Sequence, residues 1–188
     1  MGTSRKNEFL QLGDVDNYVS TPLAELLRPQ KWEDFAGLDS IDPRLVKQLE
    51  SGQGRIPSLV LWGPPGCGKT TFARLIRQSF NVEHYELSAV QVGVKEVRDI
   101  AAKAESNGAT VLLFVDEIHR FNKAQQDSFL PYLERGLIAL VGATTENPSF
   151  YLNRALLSRM RVVQFKPLVE LALRSLVERG SREIGVEF

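Results

Sequence analysis

The chain has 188 residues, 43% of them apolar, and its 23 basic and 23 acidic residues cancel. That length suits one domain with a sizeable core, and the balance excludes a global basic field and an acidic tail. A single cysteine, Cys67, excludes an internal disulfide, and without zinc-ligand spacing it points to a reducing compartment.

Residues 1–20 are polar and aperiodic, and read as a mobile arm. No apolar h-region follows their charges, so no secretory signal is expected. No apolar run approaches the roughly 20 residues of a membrane span. A soluble intracellular protein without a membrane partner is the expectation. From Leu59 the pattern alternates. SLVLW is a short apolar run ending at Gly63. TFARLIRQSF then puts Phe72, Leu75, Ile76 and Phe80 on one helical face. VEHYEL alternates as a strand does, and VKEVRDIAAKA places Val94, Val97, Ile100, Ala101 and Ala104 on one stripe. TVLLFVDE is continuously apolar, as a strand covered on both faces must be. NKAQQDSFLPYLERG opens with Asn122 as N-cap and Gln125 at the capping-box spacing. Pro131 should kink or shorten that helix. LIALVGATT is another buried strand, NPSFYLNRALLSRM is helical after its proline, and RVVQF is a last short strand. The βαβα rhythm predicts an α/β fold, a parallel sheet with helices on both faces.

The loop after the first of these strands carries the strongest chemical signal. Gly63-Pro64-Pro65-Gly66-Cys67-Gly68-Lys69-Thr70 fits G-x-x-x-x-G-K-[ST] at every fixed position. Small residues let backbone N–H groups turn inward around a polyphosphate. The following helix adds its N-terminal dipole. Lys69 would reach the outer phosphates and Thr70 would offer its hydroxyl to Mg²⁺. A glycine-proline turn that happens to hold a lysine is the plainer alternative, but it lacks a reason for the flanking strand and amphipathic helix. Cys67 occupies a free position with no neighbouring histidine to activate it, so it reads as a tolerated small residue.

LLFVDEIH ends a buried strand with two carboxylates, Asp116 and Glu117. Acids are rarely kept at a buried strand for packing. Successive residues diverge there, so Asp116 can hold Mg²⁺ while Glu117 orients an attacking water. Solvated acids just past the strand are the alternative. His119 reads as a hydrogen-bonded surface histidine, or as a link between nucleotide state and a partner surface. Asn122-Lys123-Ala124-Gln125 lacks the aspartate of a guanine-reading loop. Thr144, Thr145, Glu146 and Asn147 end the next strand, where a polar group can touch the γ-phosphate or the water. The same residues also suit an ST-turn and an N-cap before Pro148. Arg154, Arg159 and Arg161 are surface charges, or one of them reaches a phosphate in a neighbouring subunit.

GPPGCGKTT, LLFVDEIHRFNKAQQDSFLPYLE and VGATTENPSFYLNRALLSR together resemble the AAA+ ATPases of the replication-associated recombination protein A and Werner helicase-interacting protein family, over roughly residues 20–166. IPSLVLWGPPGCGKTT is most similar to the eukaryotic form, which would place the protein in a nucleus; a bacterial source would place it in the cytoplasm or nucleoid. The resemblance implies a P-loop NTPase core with a five-stranded parallel sheet, of the clamp-loader branch. It implies DNA-stimulated ATP hydrolysis at stalled or damaged replication forks by a homo-oligomer. DNA partners (forked, gapped or single-stranded) and replication or repair proteins come from the resemblance alone. Position by position it assigns the Walker A residues Gly63 to Thr71, with Lys69 and Thr70, and the Walker B acids Asp116 and Glu117. It assigns Thr145 to sensor 1 and Arg159 to the arginine finger. Arg28 and Pro29 resemble the segment packed near adenine, where the usual Gly-Gln is Gly37-Leu38 here.

The family pattern continues past KPL into a helical lid with a sensor-2 arginine. Here VELALRSLVERGSREIGVEF supplies little more than one helix, so the expected division is an arm over 1–20, an ATPase core over 21–167 and the start of a lid over 168–188. Three functions are open on this reading: an ATP-hydrolysing motor of DNA maintenance, a nucleotide-binding interaction module without turnover, and a DExH-type helicase. The last ranks lowest, because the chain is too short for two motor lobes.

Overall fold

The computed structural model describes residues 22, 25 and 27–185, and the arm expected over 1–20 lies outside them. One compact unit runs from Pro29 to Ser175; the described residues before and after it belong to a second. In that second unit the Arg179 guanidinium donates to the Leu27 carbonyl at 3.0 Å.

The larger unit is built on a five-stranded parallel sheet. Its strands are β1 (Leu59–Trp62), β2 (His84–Ser88), β3 (Val111–Asp116), β4 (Ile138–Thr144) and β5 (Arg161–Gln164), in spatial order β2-β3-β4-β1-β5. All four strand pairs are parallel, as the alternating pattern predicts. α1 (Pro43–Ser51) precedes β1; the crossovers contain α2 (Lys69–Phe80), α3 (Val94–Asn107), α4 (Lys123–Asp127), α5 (Leu130–Glu134), α6 (Pro148–Tyr151) and α7 (Arg154–Leu157); α8 (Glu170–Ile184) follows β5. α1 was not anticipated from periodicity. Its signal is local: Asp42 accepts the Arg44 amide at 2.9 Å, Pro43 opens the helix and Gly52 closes it.

The two stretches expected as helical after Asn122 and Pro148 are each broken in two, the first at the proline expected to kink or shorten it. Pro131 sits in the first turn of α5, and its ring would collide with the Asp127 carbonyl had α4 continued. α4 therefore ends at Asp127, after a capping box in which Asn122 and Gln125 exchange side-chain and backbone bonds at 2.9 Å each. Between α6 and α7, Leu152 turns extended and buries its side chain, and Asn153 caps the restart by accepting the Leu156 amide at 2.7 Å. Asparagine gains more at a cap than inside a helix, which favours the break.

Alternate residues of the central strands feed two cores. Leu59, Leu61, Leu112, Phe114, Val141 and Ala143 face α1 and α2. Val60, Val111, Leu113, Val115, Ile138 and Leu140 face α3 and the segments around Phe129 and Leu156. This period-two division is what a parallel sheet covered on both faces requires. The first core is aromatic. Phe72 is fully buried and meets Trp32 at 5.3 Å, Phe35 at 5.7 Å and Phe165 at 5.3 Å, all edge to face. The second core is mainly aliphatic, with Phe121 and Phe129 tilted against each other at 5.6 Å.

Candidate nucleotide site

Parallel strands bring three loops to one edge of the sheet. Trp62 of β1 is level with Thr144 of β4, and Val115 of β3 is level with Gly142 of β4. The glycine-rich loop, the acidic pair and the Thr144–Asn147 segment therefore leave the sheet side by side, with β4 between the other two. Ligands of open α/β sheets bind at this carboxyl edge.

The glycine-rich loop leaves β1 and returns as α2, whose first residue is Lys69. Gly68 has φ +97°, and a Cβ there would sit 2.9 Å from the Phe35 ring. A Cβ on Gly63 would sit 2.5 Å from the Phe165 carbonyl oxygen. The aromatic core thus sets the loop's inner wall, and only glycine fits at those two places. Lys69 Nζ curls over the loop and donates to the Gly63 carbonyl at 2.7 Å and the Pro64 carbonyl at 2.9 Å. Phosphate oxygens are stronger partners for an ammonium than these neutral carbonyls. Thr70 follows in the first helical turn, and Thr71 is buried beneath it. Pro64, Pro65 and Gly66 form the exposed lip, and Cys67 is buried with its Sγ 3.9 Å from Lys69 Nζ.

Beside the loop lies a cavity of about 380 Å³, lined among others by Gly37, Cys67, Phe165, Lys166 and Leu168. Lys166 and Leu168 were not singled out from sequence. Pro29 is not in this lining. Arg28 belongs to the other unit, where its guanidinium pairs with Glu25 at 2.8 Å.

The acids diverge as expected. Asp116 is the last residue of β3, and its Oδ1 accepts the Glu117 amide at 3.1 Å. Glu117 adopts a left-handed conformation with φ +54°, which only it and Asn81 share among the described non-glycine residues. That costs about 1–2 kcal/mol for an L-residue, and it swings the Glu117 side chain out of line with Asp116. Its carboxylate lies 3.2 Å from His119 Nδ1. His119 is not a surface histidine: its side chain is 10% exposed. Its Nδ1 is also 3.0 Å from Thr144 Oγ1, and its ring stands edge-on to Tyr151 at 5.8 Å.

Thr144 and Asn147 account for the turn after β4. Thr144 Oγ1 accepts the Glu146 amide at 3.0 Å, and Asn147 Oδ1 accepts the Ser149 amide at 3.0 Å to cap α6. Thr145 lies in the bend between them, half-buried. Arg159 lies beyond α7. Its guanidinium bonds the Ala155 carbonyl at 2.8 Å and pairs with Glu134 of α5. Within one chain it is thus engaged along its own surface. Arg161 pairs with Asp42 at 3.3 Å.

Among the described residues no group of three or more His, Cys, Asp or Glu could hold a metal ion. The hydroxyl of Thr70 and the carboxylate of Asp116 are candidate oxygen donors of the kind Mg²⁺ uses, since it takes one or two protein oxygens and completes its shell with phosphates and water. They do not suit a cation held by protein alone. Among the described residues no helix is long and apolar enough to cross a membrane.

Residues 59–168 match the family model described as "ATPase family associated with various cellular activities (AAA)". The chain belongs to the AAA family. Within that family it is of the replication-associated recombination protein A and WRNIP1 type. It is 50% identical over 170 residues to replication-associated recombination protein A of Coxiella burnetii, covering 88% of this chain and 38% of that protein. It is 44% identical over 180 residues to ATPase WRNIP1 of Dictyostelium discoideum, covering 93% of this chain and 20% of that one. The chain thus spans well under half the length of these relatives. Among solved structures it is similar to the Thermotoga maritima RuvB Holliday junction branch migration motor, with 30% identity and a TM-score of 0.69, covering 86% of this chain and 56% of that one. A point variant of the same RuvB gives a TM-score of 0.72 over the same shares. These likenesses support the α/β fold that the sequence pattern predicts and the AAA+ core that the resemblance implies.

Proposed function

We propose that this domain binds ATP with Mg²⁺ at the Gly63–Thr71 loop and hydrolyses it as part of an oligomeric, DNA-stimulated machine of replication-fork maintenance. The observation that carries the reading is the register of the sheet. It sets the loop with Lys69, the acids Asp116 and Glu117, and the polar end of β4 along one edge. The loop amides and the Lys69 ammonium cradle the triphosphate. Thr70 and Asp116 hold the Mg²⁺, which when bound neutralises phosphate charge. Glu117 orients the attacking water and Thr145 steadies the γ-phosphate side. The cavity beside Gly37 and Leu168 receives the base; Arg28 and Pro29 are candidates for adenine contact by the family resemblance alone. Arg159 acts on a neighbour's nucleotide, which agrees with its engagement by Glu134 along its own chain's surface. Fingers of this kind contribute on the order of 10³–10⁵ in rate.

DNA as the partner, a homo-oligomer, contact with replication or repair proteins, and a nuclear site in a eukaryotic cell rest on the likeness to replication-associated recombination protein A and WRNIP1. Calorimetry and phosphate release test the core of the reading. Lys69→Ala is expected to abolish the heat of ATP binding. Glu117→Gln keeps binding and loses turnover, and Arg159→Ala keeps binding and loses only turnover that depends on assembly. Unchanged binding heat in Lys69→Ala would overturn the assignment of the loop. Phosphate release that rises more than linearly with protein concentration supports the motor; a flat trace with intact binding supports a nucleotide-binding module instead.

A further inference from the structure

The histidine after the acidic pair does something the motif does not require. Two polar groups meet at His119 Nδ1, a Glu117 carboxylate oxygen at 3.2 Å and Thr144 Oγ1 at 3.0 Å, and Thr144 Oγ1 in turn accepts the Glu146 amide. The proton positions follow from what each atom can give. A carboxylate only accepts, so a bare Nδ1 lone pair facing it would be repelled. Thr144 Oγ1 already accepts the Glu146 amide and has the Glu146 carbonyl at 3.3 Å to donate to. The cluster is satisfied when Nδ1 carries the proton and gives it to Glu117, with Thr144 as the secondary acceptor. Tyr151 closes the other side of the ring, so the imidazole plane is fixed by packing as well as by hydrogen bonds.

We propose that His119 is a positioning residue for Glu117: it holds one carboxylate oxygen and so fixes where the other points. This rests on the reading of Glu117 as the group that orients the attacking water. No other side chain among the described residues engages that carboxylate. Backbone conformation alone cannot aim it, because a left-handed Glu117 still has three freely rotating side-chain bonds. With one oxygen held, the second can accept a proton from water in a repeatable direction, and a misplacement of about 1 Å at such a group costs on the order of 10²-fold in rate. The anchor also ties the water-orienting acid just after β3 to the end of β4. A shift of the Thr144–Asn147 turn or of Tyr151 would then re-aim Glu117.

The chain has two histidines, His84 and His119, so both imidazoles can be assigned in long-range ¹H–¹⁵N spectra of the 188-residue protein. The expected result is an Nδ1-protonated His119 whose Nδ1 signal moves in Glu117→Gln while His84 is unaffected. An Nδ1 without a proton, or a signal indifferent to Glu117→Gln, overturns the proposal without any need for turnover. In hydrolysis assays of a protein carrying this domain, His119→Ala is expected to lower kcat about 10–100-fold with KM for ATP within twofold. His119→Asn, which restores an N–H donor near the same place, should recover most of that loss. Addition of His119→Ala to Glu117→Gln should cost nothing further. If both kcat and KM collapse and Asn does not rescue, His119 is merely structural and the proposal fails. If His119→Ala is inert while Glu117→Gln is dead, the proposal fails and the Glu117 reading stands. If Glu117→Gln itself turns over normally, that underlying reading is the one that falls.

Discussion

The two faces of the sheet hold the candidate site by different means. Under the glycine-rich loop the support is rigid and apolar: Trp32, Phe35 and Phe165 pack edge-on around Phe72, and backbone at Gly63 and Gly68 presses directly on that cluster. Behind the acids the support is polar and specific. Gln126 is buried and its amide bonds the Phe121 carbonyl at 2.8 Å, the Tyr151 carbonyl at 3.0 Å and the Asn153 amide at 2.8 Å. That one side chain joins the segment after Glu117 to the end of α6 and the cap of α7, the helices that precede Arg159. The loop needs a fixed shape to present amides, and an aromatic wall gives shape. The acid side needs orientation of individual side chains, and hydrogen bonds give direction.

Substitutions on each face can break this contrast, beginning with the largest effect. Phe72→Ala removes the centre of the aromatic cluster and is expected to cost about 3–5 kcal/mol in urea unfolding. A loss under 1 kcal/mol would mean the loop is not braced by that cluster. Gln126→Leu fills the same space but leaves two carbonyls and an amide unpaired. It should cost about 1–3 kcal/mol and lower hydrolysis that depends on assembly more than it lowers ATP affinity; equal losses of both would erase the division between the faces. Asn153→Ala deletes the cap of α7 and should cost about 1 kcal/mol, read as a lower melting temperature. Its Nδ2 contact with Asp127 at 2.7 Å is exposed and adds little. Glu134→Ala breaks an exposed ion pair with Arg159 and should move stability by less than about 0.5 kcal/mol. A larger shift would make that pair part of the scaffold rather than a resting place for the guanidinium.

The same contrast marks what could be read in the sequence. β1, β3 and β4 were legible because strands covered on both faces are continuously apolar. The glycine-rich loop and the acidic pair stood out because a phosphate-cradling backbone and a metal-holding acid would demand fixed residue types at fixed spacing. The break at Pro131 was legible too, because proline cannot continue a helix; the break at Leu152 was not, since it depends on whether a second cap outcompetes a continued helix. Nor was the role of His119, whose meaning comes from Thr144 and Tyr151. These lie 25 and 32 positions further along the chain, on the neighbouring strand and the helix beyond it. The cavity beside Gly37 was half-legible: Gly37-Leu38 stood out at the family's Gly-Gln position, with Leu38 as the departure, whereas Lys166 and Leu168 line it only because β5 returns alongside β1.

Cys67 is the sole thiol of the chain, 4% exposed, within the proposed phosphate cradle and on the wall of the adjoining cavity. A maleimide can reach it only while the cradle gapes, so alkylation kinetics act as a stopwatch for breathing of that segment. No engineered label is needed, and a tenant in the cradle would register as slowed modification.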